Sequence, residues 1–198
     1  MNRLRATIER AFSDLSALEN PWAVVGGLAV STYVEPRATR DLDVVVSVSG
    51  DDEAEQIIWS LLQLGYSVVA AVEQTERGRL ATMRLQPPMK GAAIVDLLFA
   101  SSGIEVEIAK SAVELEILPG LSAPVASIGH LIAMKILARD DRRRPQDWDD
   151  LHGLIAVADQ DELDQARAAV ALIDERGYAR DRKLLADFDA LLTEFGKG

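Results

Sequence analysis

The chain has 198 residues, of which 48% are hydrophobic, and its 21 basic and 32 acidic side chains give a formal net charge of −11. That length suits one domain, or one domain with a small appendage, and so large an excess of acid argues against binding to extended duplex DNA or to an anionic membrane surface. The lack of cysteine in the sequence excludes disulfides and thiolate metal sites. No apolar run approaches the length of a membrane-spanning helix, and we expect a cytoplasmic protein.

Helices and strands alternate from the start of the chain. Apolar residues at helical spacing predict an amphipathic helix over 3–19, and the apolar run 22–25 predicts a short buried strand. The strand ends at Gly26-Gly27, and a helix is predicted over 28–34. A glycine pair in this position lets a phosphate approach the backbone N–H groups of a helix start, although a tight turn without a ligand explains the pair equally well.

The rest of the chain predicts a mixed sheet followed by helices. A β-branched run predicts a buried strand over 42–48, and a helix follows over 51–64. Strands are then predicted at 66–73, 79–86 and 92–99, a weaker pair of strands at 113–118 and 122–126, and helices at 127–137, 146–157, 160–176 and 180–195. This order predicts an α/β (α+β) fold, with a mixed β-sheet core over 1–126 and a helical region over 127–198 packed on it.

Three aspartates stand at or within predicted strands. Asp41 and Asp43 are two residues apart at the mouth of strand 42–48, so both point to the same side of the sheet. Asp96 interrupts the otherwise apolar strand 92–99. Unpaired carboxylates are costly to remove from water, and a divalent cation would reverse that cost. If the two strands are neighbours, the three carboxylates meet and suit Mg²⁺, which binds through a few carboxylates and substrate phosphates.

The spacing of these residues resembles a known superfamily. Gly26-Gly27, thirteen intervening residues, Asp41-Leu42-Asp43 and the later Asp96 resemble the nucleotidyltransferases related to DNA polymerase β. Lys135, followed by Arg144-Pro145-Gln146-Asp147, makes the chain similar to the AbiEii/MenT-type group, known mostly as toxins of bacterial toxin–antitoxin pairs. The resemblance covers residues 22–155 and departs at Gly27, where superfamily members often have serine.

The resemblance implies Mg²⁺-dependent transfer of a nucleotide from an NTP, such as ATP, to an acceptor hydroxyl, with pyrophosphate leaving. It implies a tRNA 3′ end as the acceptor and an antitoxin as a partner. Gly26, Gly27 and Arg40 would bind the nucleotide, Asp41 and Asp43 would bind Mg²⁺, Asp96 would be a metal ligand or general base, and Lys135 and Asp147 would serve nucleotide binding and catalysis.

Alternatives remain at this stage. Lys135 is also explained as a solvated helix lysine, and Asp147 as an acidic residue in the first turn of a helix. The acceptor could be a small molecule such as an aminoglycoside, or the fold could serve as an inactive nucleotide-binding or interaction module. Residues 135–144 hold five basic and two acidic side chains, a local excess on which a phosphate-rich acceptor could dock.

Overall fold

A computed structural model describes residues 2–36, 38–75, 77–139 and 145–197 of the chain, and the predicted α/β class is confirmed. The elements in chain order are α1 (Asn2–Ser16), β1 (Trp22–Val25), α2 (Gly26–Tyr33), β2 (Leu42–Val46), α3 (Asp51–Gln63), β3 (Ser67–Gln74), β4 (Arg79–Gln86), β5 (Val95–Leu98), α4 (Glu105–Lys110), β6 (Val113–Leu118), β7 (Leu121–Val125), α5 (Ile128–Ala138), α6 (Pro145–Val157), α7 (Gln160–Glu175) and α8 (Leu184–Glu194).

The strands form one mixed sheet in the order β3-β4-β5-β2-β1-β7-β6. β2 runs parallel to β5 and antiparallel to β1, and β7 runs parallel to β1. The prediction that the strand carrying Asp96 lies beside the strand carrying Asp43 is confirmed, because these two residues are directly in register. The central strands are almost entirely buried, which explains their continuous apolar runs.

Helices pack around this sheet and share its core. Leu42 and Leu97 from the sheet, Ile132 from α5 and Leu154 from α6 are completely buried and belong to one cluster of apolar side chains. The core therefore extends across residue 126, and the domain boundary at that point stays a prediction. Ser127 caps α5 by accepting a bond from the backbone N–H of His130, as the sequence predicts.

The structure differs from the predicted elements in three places. The helix α4 was missed, because it has only six residues and three of them are charged. The last helix begins at Leu184 rather than at 180, since Arg180 and Asp181 have φ of +55° and +58° and cannot start a right-handed helix. Strand β5 begins at Val95 rather than at 92.

Two further sequence expectations concern the chain as a whole. Within the part of the chain that the structure describes, no helix combines the length and hydropathy of a membrane span. The basic run predicted over 135–144 falls partly on 140–144, which lie outside the described residues. Its docking role stays a prediction.

Candidate active site

A cleft of about 700 Å³ lies where β1 ends and where β2 and β5 begin. Its walls also include the end of α5 and the start of α6. The cleft brings together every residue that the sequence pattern singled out: Gly26, Gly27, Arg40, Asp41, Asp43, Asp96, Lys135 and Asp147. Residues far apart in the chain thus share one concave surface, as expected of a ligand site.

Gly26 lies against a carboxylate. Its φ is +64°, a conformation that favours glycine, and a Cβ at this position would overlap the side chain of Asp43. Glycine is therefore required both by the backbone turn and by the close approach of Asp43. The preceding Val25 provides no side-chain cap for α2, so the first N–H groups of this helix receive no bond from that residue and can meet an anion.

Asp96 is held by an arginine that the sequence pattern did not single out. Arg84 lies opposite Asp96 in the pairing of β4 with β5, and its Nε and Nη2 donate to Oδ1 and Oδ2 of Asp96 at 2.8 and 2.6 Å. The same Nη2 is 3.7 Å from Oδ2 of Asp41. The bonds to Asp96, followed by the fields of Asp41 and Asp43, raise the pKa of Arg84 above its ordinary value. This guanidinium therefore balances charge for all three aspartates.

The donor set suits a hard divalent cation. Among the described residues, no three carboxylate or histidine side chains form a ready-made metal cluster, and Arg84 already engages both oxygens of Asp96. A carboxylate offers about four lone-pair sites, so two bonds from Arg84 leave Asp96 with acceptor capacity. Mg²⁺ commonly takes one or two carboxylates and completes its shell with water and substrate phosphates. Asp41 and Asp43 fit that pattern, and the three-carboxylate set stays a prediction.

Lys135 joins α5 to α6. Its Nζ lies 2.8 Å from Oδ1 of Asp147 and 2.6 Å from Oδ2 of Asp150, and the exposed fractions of the three side chains are 12%, 8% and 3%. The two aspartates are three residues apart and so share one face of α6. The alternative of a solvated Lys135 is wrong. Asp150 was missed as a site residue, since only the packing of the two helices brings it to Lys135.

A central sheet that combines a glycine turn with aspartates on two neighbouring strands defines a nucleotidyltransferase. The chain belongs to the AbiEii family, described as the nucleotidyl transferase AbiEii toxin of Type IV toxin–antitoxin systems, whose model matches residues 10–195. The protein is accordingly an enzyme of nucleotidyl transfer. No curated protein sequence matches the chain.

Solved structures show the same architecture. An antigenic nucleotidyltransferase-like protein from Paracoccidioides brasiliensis is 21% identical with a TM-score of 0.52, and the match covers 97% of this chain and 93% of that one. The antibiotic-resistance factor ANT(2″)-Ia is 14% identical with a TM-score of 0.49, covering 96% and 94% of the two chains. The lincosamide antibiotic adenylyltransferase LnuA is 12% identical with a TM-score of 0.48, covering 77% and 97%. The likeness to the first of these shows the fold.

Proposed function

We propose that this enzyme moves a nucleotide from an NTP to the 3′-hydroxyl of an RNA, with tRNA as the expected acceptor, in a Mg²⁺-dependent reaction. We also propose that it acts as the toxin of a pair with an antitoxin partner, for which its family supplies the support. The observation that carries the catalytic proposal is the cleft whose walls combine the glycine turn, three aspartates and the paired Lys135.

The proposed reaction exchanges one phosphorus–oxygen bond for another. The acceptor oxygen bonds to the α-phosphorus while the bond from that phosphorus to the oxygen bridging to the β-phosphorus breaks. Pyrophosphate leaves with the electron pair of the broken bond, and the acceptor proton passes to a base. Asp96 is the proposed base, because it lies beside Asp43 in the sheet and retains lone pairs beyond those that Arg84 uses.

The remaining residues of the cleft bind and orient the nucleotide. The first N–H groups of α2, after Gly26, would donate to the triphosphate, and Lys135 and Arg40 would place positive charge near the leaving pyrophosphate. Asp147 and Asp150 hold Lys135 at the wall of the cleft. Asp41 and Asp43 would hold Mg²⁺, which supplies charge neutralisation on the phosphates and an orienting template.

Label transfer tests this function. The protein is incubated with Mg²⁺ and each α-³²P-labelled NTP, in parallel reactions with total tRNA and with a panel of aminoglycosides. We expect the label on tRNA. Label on an aminoglycoside instead would support small-molecule transfer, and NTP binding without transfer would support an inactive module.

Two variants connect the result to the cleft. Asp43→Asn should abolish transfer, while Asp174→Asn, which changes an exposed aspartate on α7 outside the cleft, should transfer at the wild-type rate. Undiminished activity in Asp43→Asn would contradict the assignment of the site. The antitoxin is tested by growth: expression of the wild type, but not of Asp43→Asn, should arrest the host unless a gene adjacent to the toxin gene is co-expressed.

A further inference from the structure

A smaller cavity of about 260 Å³ opens on the same carboxylates as the main cleft. Asp43 and Asp96 belong to the walls of both spaces. The part of the small cavity that it does not share with the cleft consists of hydroxyl side chains, one apolar side chain and one guanidinium: Thr82, Ser101, Ser102, Leu137 and Arg180. A second substrate could therefore reach the aspartates without passing the nucleotide.

The geometry of phosphoryl transfer assigns this cavity to the acceptor. Attacking and leaving oxygens lie roughly in line on opposite sides of the phosphorus. The glycine turn and Lys135 line the main cleft and are not part of the small cavity, so a triphosphate bound to them directs pyrophosphate away from that cavity. The acceptor oxygen then arrives from the other side. A space slightly below the roughly 300–1,000 Å³ of common ligand pockets suits one terminal nucleoside of a strand.

The charge of the cavity indicates what kind of acceptor it binds. Among the described residues that line it, the charged ones are Asp43, Asp96 and Arg180, and the two aspartates are already assigned to the reaction. Arg180 is then available to recognise the acceptor itself. A guanidinium pairs well with a phosphate, whereas it repels the amino groups of an aminoglycoside. The cavity therefore favours a phosphate-bearing acceptor.

Arg180 is held in place by an ordered but strained turn. Its Nη2 donates to the carbonyl of Ser101 at 3.1 Å. The backbone N–H groups and hydroxyls of Ser101 and Ser102 all donate to Oε1 of Glu105, a residue only 3% exposed. Arg180 itself has a φ of +55°, a conformation that is rare for residues other than glycine and is concentrated at functional sites.

A second arginine lies farther along the same loop. Residues 99–105 also line a depression of about 410 Å³ together with Arg77 and Tyr178, and the Arg77 guanidinium stacks over the Tyr178 ring at 5.7 Å from its centroid. Within the described parts of the chain, Arg77 makes no ion pair. Proteins bind single-stranded nucleic acid by basic grooves that follow the backbone, and Arg180 and Arg77 provide two such contacts leading away from the aspartates.

We propose that the small cavity is the acceptor subsite and that it binds the 3′-terminal nucleotide of an RNA strand, whose last internucleotide phosphate pairs with Arg180. The strand continues toward Arg77. This inference rests on the proposed transfer reaction, and it adds the location of the acceptor and the reason why the acceptor is a polynucleotide.

Steady-state kinetics on a short RNA acceptor test the subsite. Arg180→Gln should raise the KM for the RNA about tenfold or more, because a hydrogen bond to a charged group contributes about 1.5–3 kcal/mol, while Kd for a non-reactive NTP analogue should not change. Arg180→Lys should fall between the two enzymes. The matched control is Arg167→Gln, which removes an exposed arginine on α7 that is paired with Asp189 and lines none of these spaces.

A neutral linkage separates recognition of the phosphate from a structural effect. When the last internucleotide phosphate is replaced by an uncharged methylphosphonate, wild type and Arg180→Gln should have the same KM. An equal penalty on both acceptors, or no penalty on the charged one, overturns the subsite while wild-type transfer to RNA leaves the proposed function intact. Absence of wild-type transfer to RNA, with transfer to an aminoglycoside, overturns the proposed acceptor and this subsite together.

Discussion

Gly26 shows how closely a single residue constrains the cleft. A side chain there would both strain the left-handed turn and press on Asp43. Gly78 is the matched control, since its φ is +58° and, within the described residues, no atom lies within 4 Å of a Cβ placed on it. Gly78→Ala should therefore lower the free energy of unfolding by about 1–2 kcal/mol through conformation alone, without loss of activity.

Gly26→Ala should cost more. Crowding of a packed site adds about 1–3 kcal/mol to the conformational cost, and displacement of Asp43 by about an ångström should reduce the transfer rate about a hundredfold. Urea unfolding and label transfer, measured side by side for the two variants, check both effects. Equal losses in the two variants would contradict the contact between Gly26 and Asp43.

Arg84 acts as a cation among the aspartates, and its removal should expose their mutual repulsion. Arg84→Gln should lower the free energy of unfolding in EDTA by about 2 kcal/mol, the range for hydrogen bonds to a charged group, because Asp96 is largely buried and loses both bonds. Added Mg²⁺ should then stabilise this variant more than the wild type. Denaturant unfolding with and without MgCl₂ measures the difference, and an equal response to Mg²⁺ would argue against a cation site at these carboxylates.

The residues of the cleft were predictable to the extent that local pattern reveals them. An aspartate within an apolar strand, as at Asp96, or a glycine pair between a strand and a helix is visible in the sequence. Arg84 was not visible, because an arginine on a half-exposed strand is ordinary until the register of β4 against β5 is known. Asp150 and Arg180 were missed for the same reason, since their partners are distant in the chain.

At the scale of elements, the contact between α5 and α6 depends on the Lys135 ion pairs. Asp150→Asn removes one of the two carboxylates that hold the ammonium. The variant should lose about 1–3 kcal/mol of stability and bind NTP more weakly, because Lys135 is less firmly held. Asp149→Asn, at an exposed position of the same helix, should stay within about 0.5 kcal/mol of the wild type. Thermal unfolding and NTP titration decide, and similar behaviour of the two variants would contradict the role of Asp150.

Elements were predictable where periodicity and burial agree. The buried central strands and the long helices α3 and α7 follow from their apolar patterns. The short α4 and the start of α8 did not, since α4 has too few residues to show a period and the turn at Arg180 is fixed by contacts with the distant loop 99–105. The misplaced elements are therefore those that surround the proposed acceptor subsite.

For the whole molecule, the net charge of −11 limits how much of the surface an RNA can touch. Acidic surfaces repel a polyanion, so contact is confined to the local arginines at positions 77 and 180. Each neutralised phosphate of a single strand changes the logarithm of affinity by about 0.7 per logarithmic unit of salt. The KM for RNA, measured between 50 and 200 mM salt, should therefore change with a slope of about 1–2 rather than the steeper slope of a broad basic face. A slope above about 4 would require many more phosphate contacts, and would place the RNA on a surface other than the one between these two arginines.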